Sequence, residues 1–238
     1  MLSPFSLFSM LYRLPASALL LAILAAGCQS DQAPPATTAA PARPAASETA
    51  ATPGQKNAVL FFGDSITAGY GVEPDEAYPA LVEAKVDSAR LPYTVINAGL
   101  SGETSAGGRS RIKWVLGRQP VGVFVLELGG NDGLRGLPLS STRQNLQAII
   151  DTVRQQAPQA KIVLAGMQIP PNMGPAYAAD FKQLYGELAA KNKLTLIPFL
   201  LENVGGIAKL NQRDGIHPTP EGHKLVARTV WRTIQPLL

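Results

Sequence analysis

The sequence predicts a three-layer α/β/α domain over residues 57–238, with helices on both faces of a parallel sheet of about five strands. Three observations carry this. Apolar runs of strand length recur five times, and they are nearly continuous rather than alternating, as expected of strands covered on both faces. Between them lie longer amphipathic stretches, each with room for a crossover helix, and this alternation is the pattern of parallel α/β layers. The loops that follow the runs are short, glycine-rich or polar, and in such a sheet they open on one common edge.

In chain order, the first run is AVLFF (58–62), which leads directly into GDSIT (63–67). An amphipathic stretch at about 77–90 precedes YTVIN (93–97) and the loop AGLSGETS (98–105). A second stretch, at about 104–118, precedes VGVFVLEL (121–128) and the loop GGNDG (129–133). The third helical stretch covers about 140–157, followed by KIVLAG (161–166), a fourth helix at about 176–192 and the run LTLIPF (194–199). DGIHP (214–218) then leads into a last helix at about 219–235. Its start is well marked, because Thr219 can cap, Pro220 suits the first helical position and Glu221 follows in the first turn.

The N-terminal part belongs to no such pattern. Residues 14–26, LPASALLLAILAA, form an apolar core behind Arg13 that is shorter than the roughly 20 residues of a membrane span and suits a signal peptide. It ends in LAAGC (24–28), which resembles the lipobox of bacterial lipoproteins, so residues 1–27 are expected to be a lipoprotein-type signal and Cys28 the lipidated residue. An uncleaved anchor, or cleavage near Ala26, is the alternative. Cys28 is the only cysteine, which excludes an internal disulfide and any Cys/His metal spacing. Residues 28–56 are dominated by Ala, Pro, Thr and Ser without apolar periodicity and read as an extended tether. The expected location is the periplasmic side of a bacterial membrane, lipid-anchored or soluble.

The formal charge of +4 does not indicate nucleic-acid binding, because basic and acidic residues are interspersed. The densest basic run, GRSRIKW (108–114), has the spacing of a solvated helix face, and attraction to an anionic membrane surface stays open.

The loops hold the chemistry. Ser65 can be read as a helix N-cap or as a nucleophile held at the carboxyl edge of the sheet. Serine attack on a carbonyl needs a base, a group that orients the base and donors for the oxyanion. Only two histidines are available. His217 has Asp214 three residues before it, whereas His223 sits within the last helix, where a solvated side chain is expected. Asp214 also reads as a turn residue before Gly215. Gly102 offers a backbone N–H without a side chain in the way, and Asn131 offers a side-chain amide.

GDSIT, NAGLSGET, GGND and DGIHP, in this order, resemble the four signature blocks of the SGNH hydrolases, the GDSL family of esterases and lipases. The chain is similar in particular to the bacterial arylesterase and thioesterase I/lysophospholipase group, through LELGGNDGLRG (126–136), QIPPNMG (168–174) and RDGIHP (213–218). The resemblance implies a flavodoxin-like arrangement of the sheet. It also implies Ser65 as nucleophile, His217 as general base and Asp214 as its orienter, with oxyanion donors from Ser65 N–H, Gly102 N–H and the Asn131 side chain. No cofactor or metal is implied. Asp64 and Asp132 are expected to fix loops, and Glu103 to be solvated. Leu134, Leu137, Met167, Ile169 and Pro170 are candidates for an acyl pocket, with ordinary core as the alternative. The α/β-hydrolase elbow is not supported, since residues 63–67 are not GxSxG and no other segment supplies that pattern. The implied activity is hydrolysis of acyl esters, aryl esters, thioesters or lysophospholipids. Deacetylation of an envelope polysaccharide and a non-catalytic envelope-binding module are the alternatives.

Overall fold

The structure, a computed structural model, describes residues 57–238. The expected signal, tether and lipidation site at Cys28 lie outside the described residues. Five parallel strands, β1 (Asn57–Gly63), β2 (Tyr93–Gly99), β3 (Val121–Glu127), β4 (Lys161–Ala165) and β5 (Thr195–Ile197), form one sheet in the order β2-β1-β3-β4-β5. The order reverses between β1 and β3. At such a switch point the loops on either side part and leave a crevice at the carboxyl edge.

The connections are α1 (Ser65–Ala68), α2 (Tyr78–Ser88), α3 (Ser105–Leu116), α4 (Gly130–Leu134), α5 (Leu139–Gln156), α6 (Pro175–Asn192) and α7 (Pro220–Ile234). Helix α2 packs with α7, while α3 packs with α5 and α5 with α6. In α5 the buried residues Leu146, Ile149, Ile150 and Val153 recur at helical spacing. Among the described residues no helix is long and apolar enough to cross a membrane.

Three details depart from the sequence reading. β1, β3 and β4 are almost wholly buried, but β2 is an edge strand with partly exposed residues, and β5 shrinks to three residues. A helix does start at Ser65 but lasts a single turn, α1, and the equally short α4 has no counterpart in the sequence reading, because a single turn is too short to show periodicity. His223 is not solvated. It lies on the core stripe of α7 with Val226, Val230 and Ile234, and its Nδ1 accepts the Tyr78 N–H at 3.2 Å. Since Nδ1 accepts, the ring hydrogen sits on Nε2, which is buried without a partner among the described residues.

Candidate active site

Strand β1 delivers Ser65 to the carboxyl edge, and the capping of α1 shows how. Asp64, not Ser65, is the N-cap: its Oδ1 accepts the Ile66 N–H at 3.0 Å. Ser65 is therefore the first helical residue, relieved of capping, and its hydroxyl is free for another partner. That partner is His217, whose Nε2 lies 2.9 Å from Ser65 Oγ across 152 residues of chain.

The segment that carries His217 closes on itself before α7. Asn211 and Pro218 form an antiparallel bridge, and Gln212 N–H donates to the His217 carbonyl at 2.7 Å. Gly215 turns the chain at φ 76°, a left-handed conformation that disfavours a side chain. Asp214 is both turn residue and orienter. Its Oδ1 accepts the N–H groups of Ile216 and His217, each at 3.0 Å, and its Oδ2 lies 2.7 Å from His217 Nδ1. The slight burial of Asp214 raises its pKa, but the two backbone donors and the His217 side chain outweigh that and bring it to about 2. A carboxylate held ionised at Nδ1 keeps the hydrogen there, which leaves the Nε2 lone pair aimed at the Ser65 hydroxyl. The Tyr70 ring packs on the imidazole with centroids 4.7 Å apart.

Two loops face this pair. After β2, Gly102 adopts φ 77°, and its carbonyl accepts from Arg135 at 3.2 Å. Among the described residues neither its N–H nor that of Ser65 has a hydrogen-bond partner. After β3, Gly129 turns at φ 107° into α4, whose second residue is Asn131. Its Nδ2 donates to Asp64 Oδ2 at 3.1 Å and to the Glu103 carbonyl at 3.0 Å. Asp132 points away and ties the loops together, accepting from Ser105 N–H at 2.8 Å and from the Thr142 hydroxyl at 3.2 Å.

Ser65, Gly102, Asn131 and His217 line one cavity of about 540 Å³. Its apolar wall includes Leu134, Met167, Ile169 and Pro170, as expected, together with Phe199 and Leu201 from beyond β5, which were not. Leu137 is not part of it. Gly136 turns the chain at φ 64° and the Leu137 N–H returns to the Asp132 carbonyl at 3.0 Å, which takes the side chain past the mouth. Leu137 is partly exposed.

Glu103 is also a correction. Its side chain is 3% exposed, and both oxygens are bound by Arg111, with Nε at 2.6 Å from Oε1. Arg111 itself lies over the Phe62 ring at 4.1 Å and donates to the Ala98 carbonyl at 2.8 Å. One residue of the supposedly solvated basic run is thus turned beneath the Gly102 loop. Glu127, which the sequence reading passed over, is fully buried beside Asp64, and a lone acid inside the apolar run VGVFVLEL was the available signal.

Comparison with known proteins identifies the family. The family model of the GDSL-like lipase/acylhydrolases matches residues 61–225. Esterase TesA of Pseudomonas aeruginosa is 41% identical over 180 residues, 76% of this chain and 89% of the relative. Thioesterase 1/protease 1/lysophospholipase L1 of Escherichia coli K12 is 36% identical over 180 residues, 76% of this chain and 84% of the relative. The solved structure of the psychrotrophic esterase EstA from a Pseudoalteromonas species superimposes with a TM-score of 0.71 at 30% identity, covering 76% of this chain and 97% of that one. A match across most of the described domain, with relatives above one-third identity over the same span, establishes that this chain belongs to the GDSL-like lipase/acylhydrolase family.

Proposed function

We propose that this carboxylic ester hydrolase works through an acyl-enzyme on Ser65, with His217 as general base and Asp214 as the group that orients it. The observation that carries the reading is the unbroken relay from Asp214 Oδ2 to His217 Nδ1 at 2.7 Å and from His217 Nε2 to Ser65 Oγ at 2.9 Å, opening into an apolar cavity. Ser65 Oγ attacks the ester carbonyl as its proton passes to His217 Nε2, and the carbonyl oxygen takes the negative charge. The unpaired N–H groups of Ser65 and Gly102 donate to that oxygen, and the Asn131 amide joins them by turning to it one of the two hydrogens that Asp64 and the Glu103 carbonyl otherwise accept. Collapse expels the alkoxide or thiolate, which leaves with the proton from His217. Water, deprotonated by the same nitrogen, then releases the acid.

Acyl and aryl esters, thioesters and lysophospholipids suit the cavity, with Leu134, Ile169 and Pro170 against the acyl chain. The relatives named above are described as an esterase and as a thioesterase and lysophospholipase, which supports this range. Residues 1–27 act as the export signal, and Cys28 carries a lipid from which residues 28–56 extend, holding the domain at the periplasmic side of a membrane. This part rests on the short apolar core and on LAAGC.

A fluorophosphonate tests the catalytic reading. It should bond to Ser65 and abolish hydrolysis of p-nitrophenyl acyl esters, in line with the EstA structure being described as inhibited by monoethylphosphonate. Across acetyl to dodecanoyl esters, kcat/KM should rise over several carbons, with each buried methylene contributing up to about 0.8 kcal/mol. An unlabelled Ser65 in folded protein, or activity confined to acetyl groups, defeats the reading.

A further inference from the structure

Of the cations in the run at 108–114, Arg109 and Lys113 are exposed, whereas the Arg111 side chain is 21% exposed and turned inward. Helix geometry accounts for this. Arg111 follows Gly108 by three residues and precedes Val115 by four, and both of these are buried. A Cβ on Gly108 would stand 2.3 Å from Leu128 Cδ1 and 3.1 Å from Phe62 Cε1, so the missing side chain lets α3 lie close on the sheet. The acceptors that Arg111 then reaches belong to separate segments of the site. Its Nε donates to Glu103 Oε1 at 2.6 Å, and the two hydrogens of Nη2 go to Glu103 Oε2 and to the Ala98 carbonyl, the latter at 2.8 Å. The Gly63 carbonyl, 3.4 Å from the same nitrogen, is a weaker acceptor that shares one of those hydrogens. Gly63 ends the strand that delivers Ser65, Ala98 lies in the strand that leads to Gly102, and Glu103 follows Gly102 directly.

Side-chain packing does not fix the loop between these anchors: Leu100, Ser101 and Gly102 are exposed, and a Cβ on Gly102 would meet nothing within 4 Å. Hydrogen bonds set its shape instead. Leu100 N–H donates to the Gly63 carbonyl at 3.0 Å, and Glu103 N–H closes a turn onto the Leu100 carbonyl at 3.1 Å, with Gly102 third in that turn at φ 77°. A positive φ at the third residue is the type II pattern, in which the N–H of that residue stands out from the turn. We propose that Arg111 is a positioning residue of the oxyanion hole: by binding Glu103 and the Ala98 and Gly63 carbonyls at once, it holds the Gly102 N–H at a fixed place relative to Ser65. This role rests on the donor assignment of Gly102 made above. Glycine has more backbone freedom than any other residue, and a donor that wanders loses the preorganisation that stabilises the transition state. Arg135 is exposed and holds only the Gly102 carbonyl, at 3.2 Å. The Glu103 side chain is 3% exposed, so its pairing with Arg111 is little screened by salt. Stability alone does not call for two charges here, since a well-packed apolar pair often serves as well.

The test compares Arg111→Met, Arg111→Met/Glu103→Leu and Arg109→Met in the full-length protein. Loosening a donor should cost less than the roughly 10²- to 10³-fold of removing one, so Arg111→Met is expected to lower kcat by about 10- to 10²-fold with KM little changed. Adding Glu103→Leu removes the stranded charge and should bring the melting temperature back toward wild type, while kcat stays within a few-fold of Arg111→Met. Arg109→Met, on the exposed face of the same helix, should change neither. A second readout needs no turnover. Phosphonylation of Ser65 sets a charged oxygen where the oxyanion forms, so the Gly102 amide proton of 15N-labelled wild type should move downfield in NMR spectra. In Arg111→Met/Glu103→Leu the same proton should move less. A Gly102 proton unmoved in phosphonylated wild type overturns the donor assignment, and the role of Arg111 with it. A full Gly102 shift in the double variant, a rise in KM with kcat unchanged, or kcat that returns together with the melting temperature overturns the role of Arg111 alone.

Discussion

Replacing His223 by asparagine should alter the acid side of the stability profile in a defined direction. In the folded protein, burial, followed by the nearby His217 charge, lowers His223 from its ordinary 6.5 to about 4. Between these values the unfolded chain binds the proton and the folded chain does not. Stability therefore rises with pH across this window and is lost as pH falls from about 6.5 to 4. A shift of that size corresponds to about 3 kcal/mol at 1.36 kcal/mol per pH unit. Asp64 and Glu127 work in the opposite sense: their raised values favour the fold below about pH 4, and that contribution fades as pH rises through the folded values. The difference between variant and wild type removes this background, since both proteins carry it. Asparagine keeps an oxygen near the position of Nδ1 to accept the Tyr78 N–H, so the loss of ring volume costs a pH-independent amount. Urea unfolding followed by circular dichroism at steps from pH 4 to 8 measures both proteins. The variant should be less stable at pH 8, and the gap should narrow by about 3 kcal/mol toward pH 4. A gap that is constant with pH, or that widens in acid, refutes the claim that His223 is buried as the neutral ring.

Three further outcomes are expected. Ser65→Ala and His217→Ala should each lower kcat by about 10⁴ to 10⁶, and the double variant should be little worse than either, whereas additive losses in single-turnover assays would separate the two residues. Arg111→Met leaves Glu103 buried without its cation and should cost about 3–5 kcal/mol in thermal unfolding, while adding Glu103→Leu should restore most of it; a double variant no better than the single contradicts the pairing. Cys28→Ser should abolish metabolic labelling with palmitate, and labelling that persists removes the lipid anchor.

The sheet was legible because its code is local. AVLFF and VGVFVLEL are apolar on both alternating faces, and only a strand covered from two sides uses such a run. The weakest readings fell where an element met the edge: β2 is half-open because among the described residues no strand flanks it on one side, and β5 keeps only three paired residues. Ser65, His217 and Asp214 could be singled out because their residue types and the Asp-to-His spacing are visible in the chain. Glu103, Glu127 and His223 were misread or missed because each is a polar residue that folding buries against a partner. Glu127 and His223 are polar residues whose burial is compensated by a partner distant in sequence, 63 residues for Glu127 and Asp64 and 145 for His223 and Tyr78, whereas Glu103 meets Arg111 only eight residues on, across the turn into α3. No local pattern announces such a partner. Phe199 and Leu201 joined the cavity wall for a similar reason, since only the closing of β5 beside β4 brings that segment to the site.

The self-closed segment from Asn211 to Pro218 has a consequence for when the protein becomes active. Asp214 and His217 meet within one turn of chain, but the serine they serve was synthesised about 150 residues earlier, just after the first strand. A ribosome builds the nucleophile near the start of the domain and the base near its end. Through most of translation the nascent chain thus holds an unactivated hydroxyl. A product truncated shortly before Asp214 contains the serine, both oxyanion loops and all five strands and still hydrolyses nothing, so reactivity is withheld until the segment that carries Asp214 and His217 has been made.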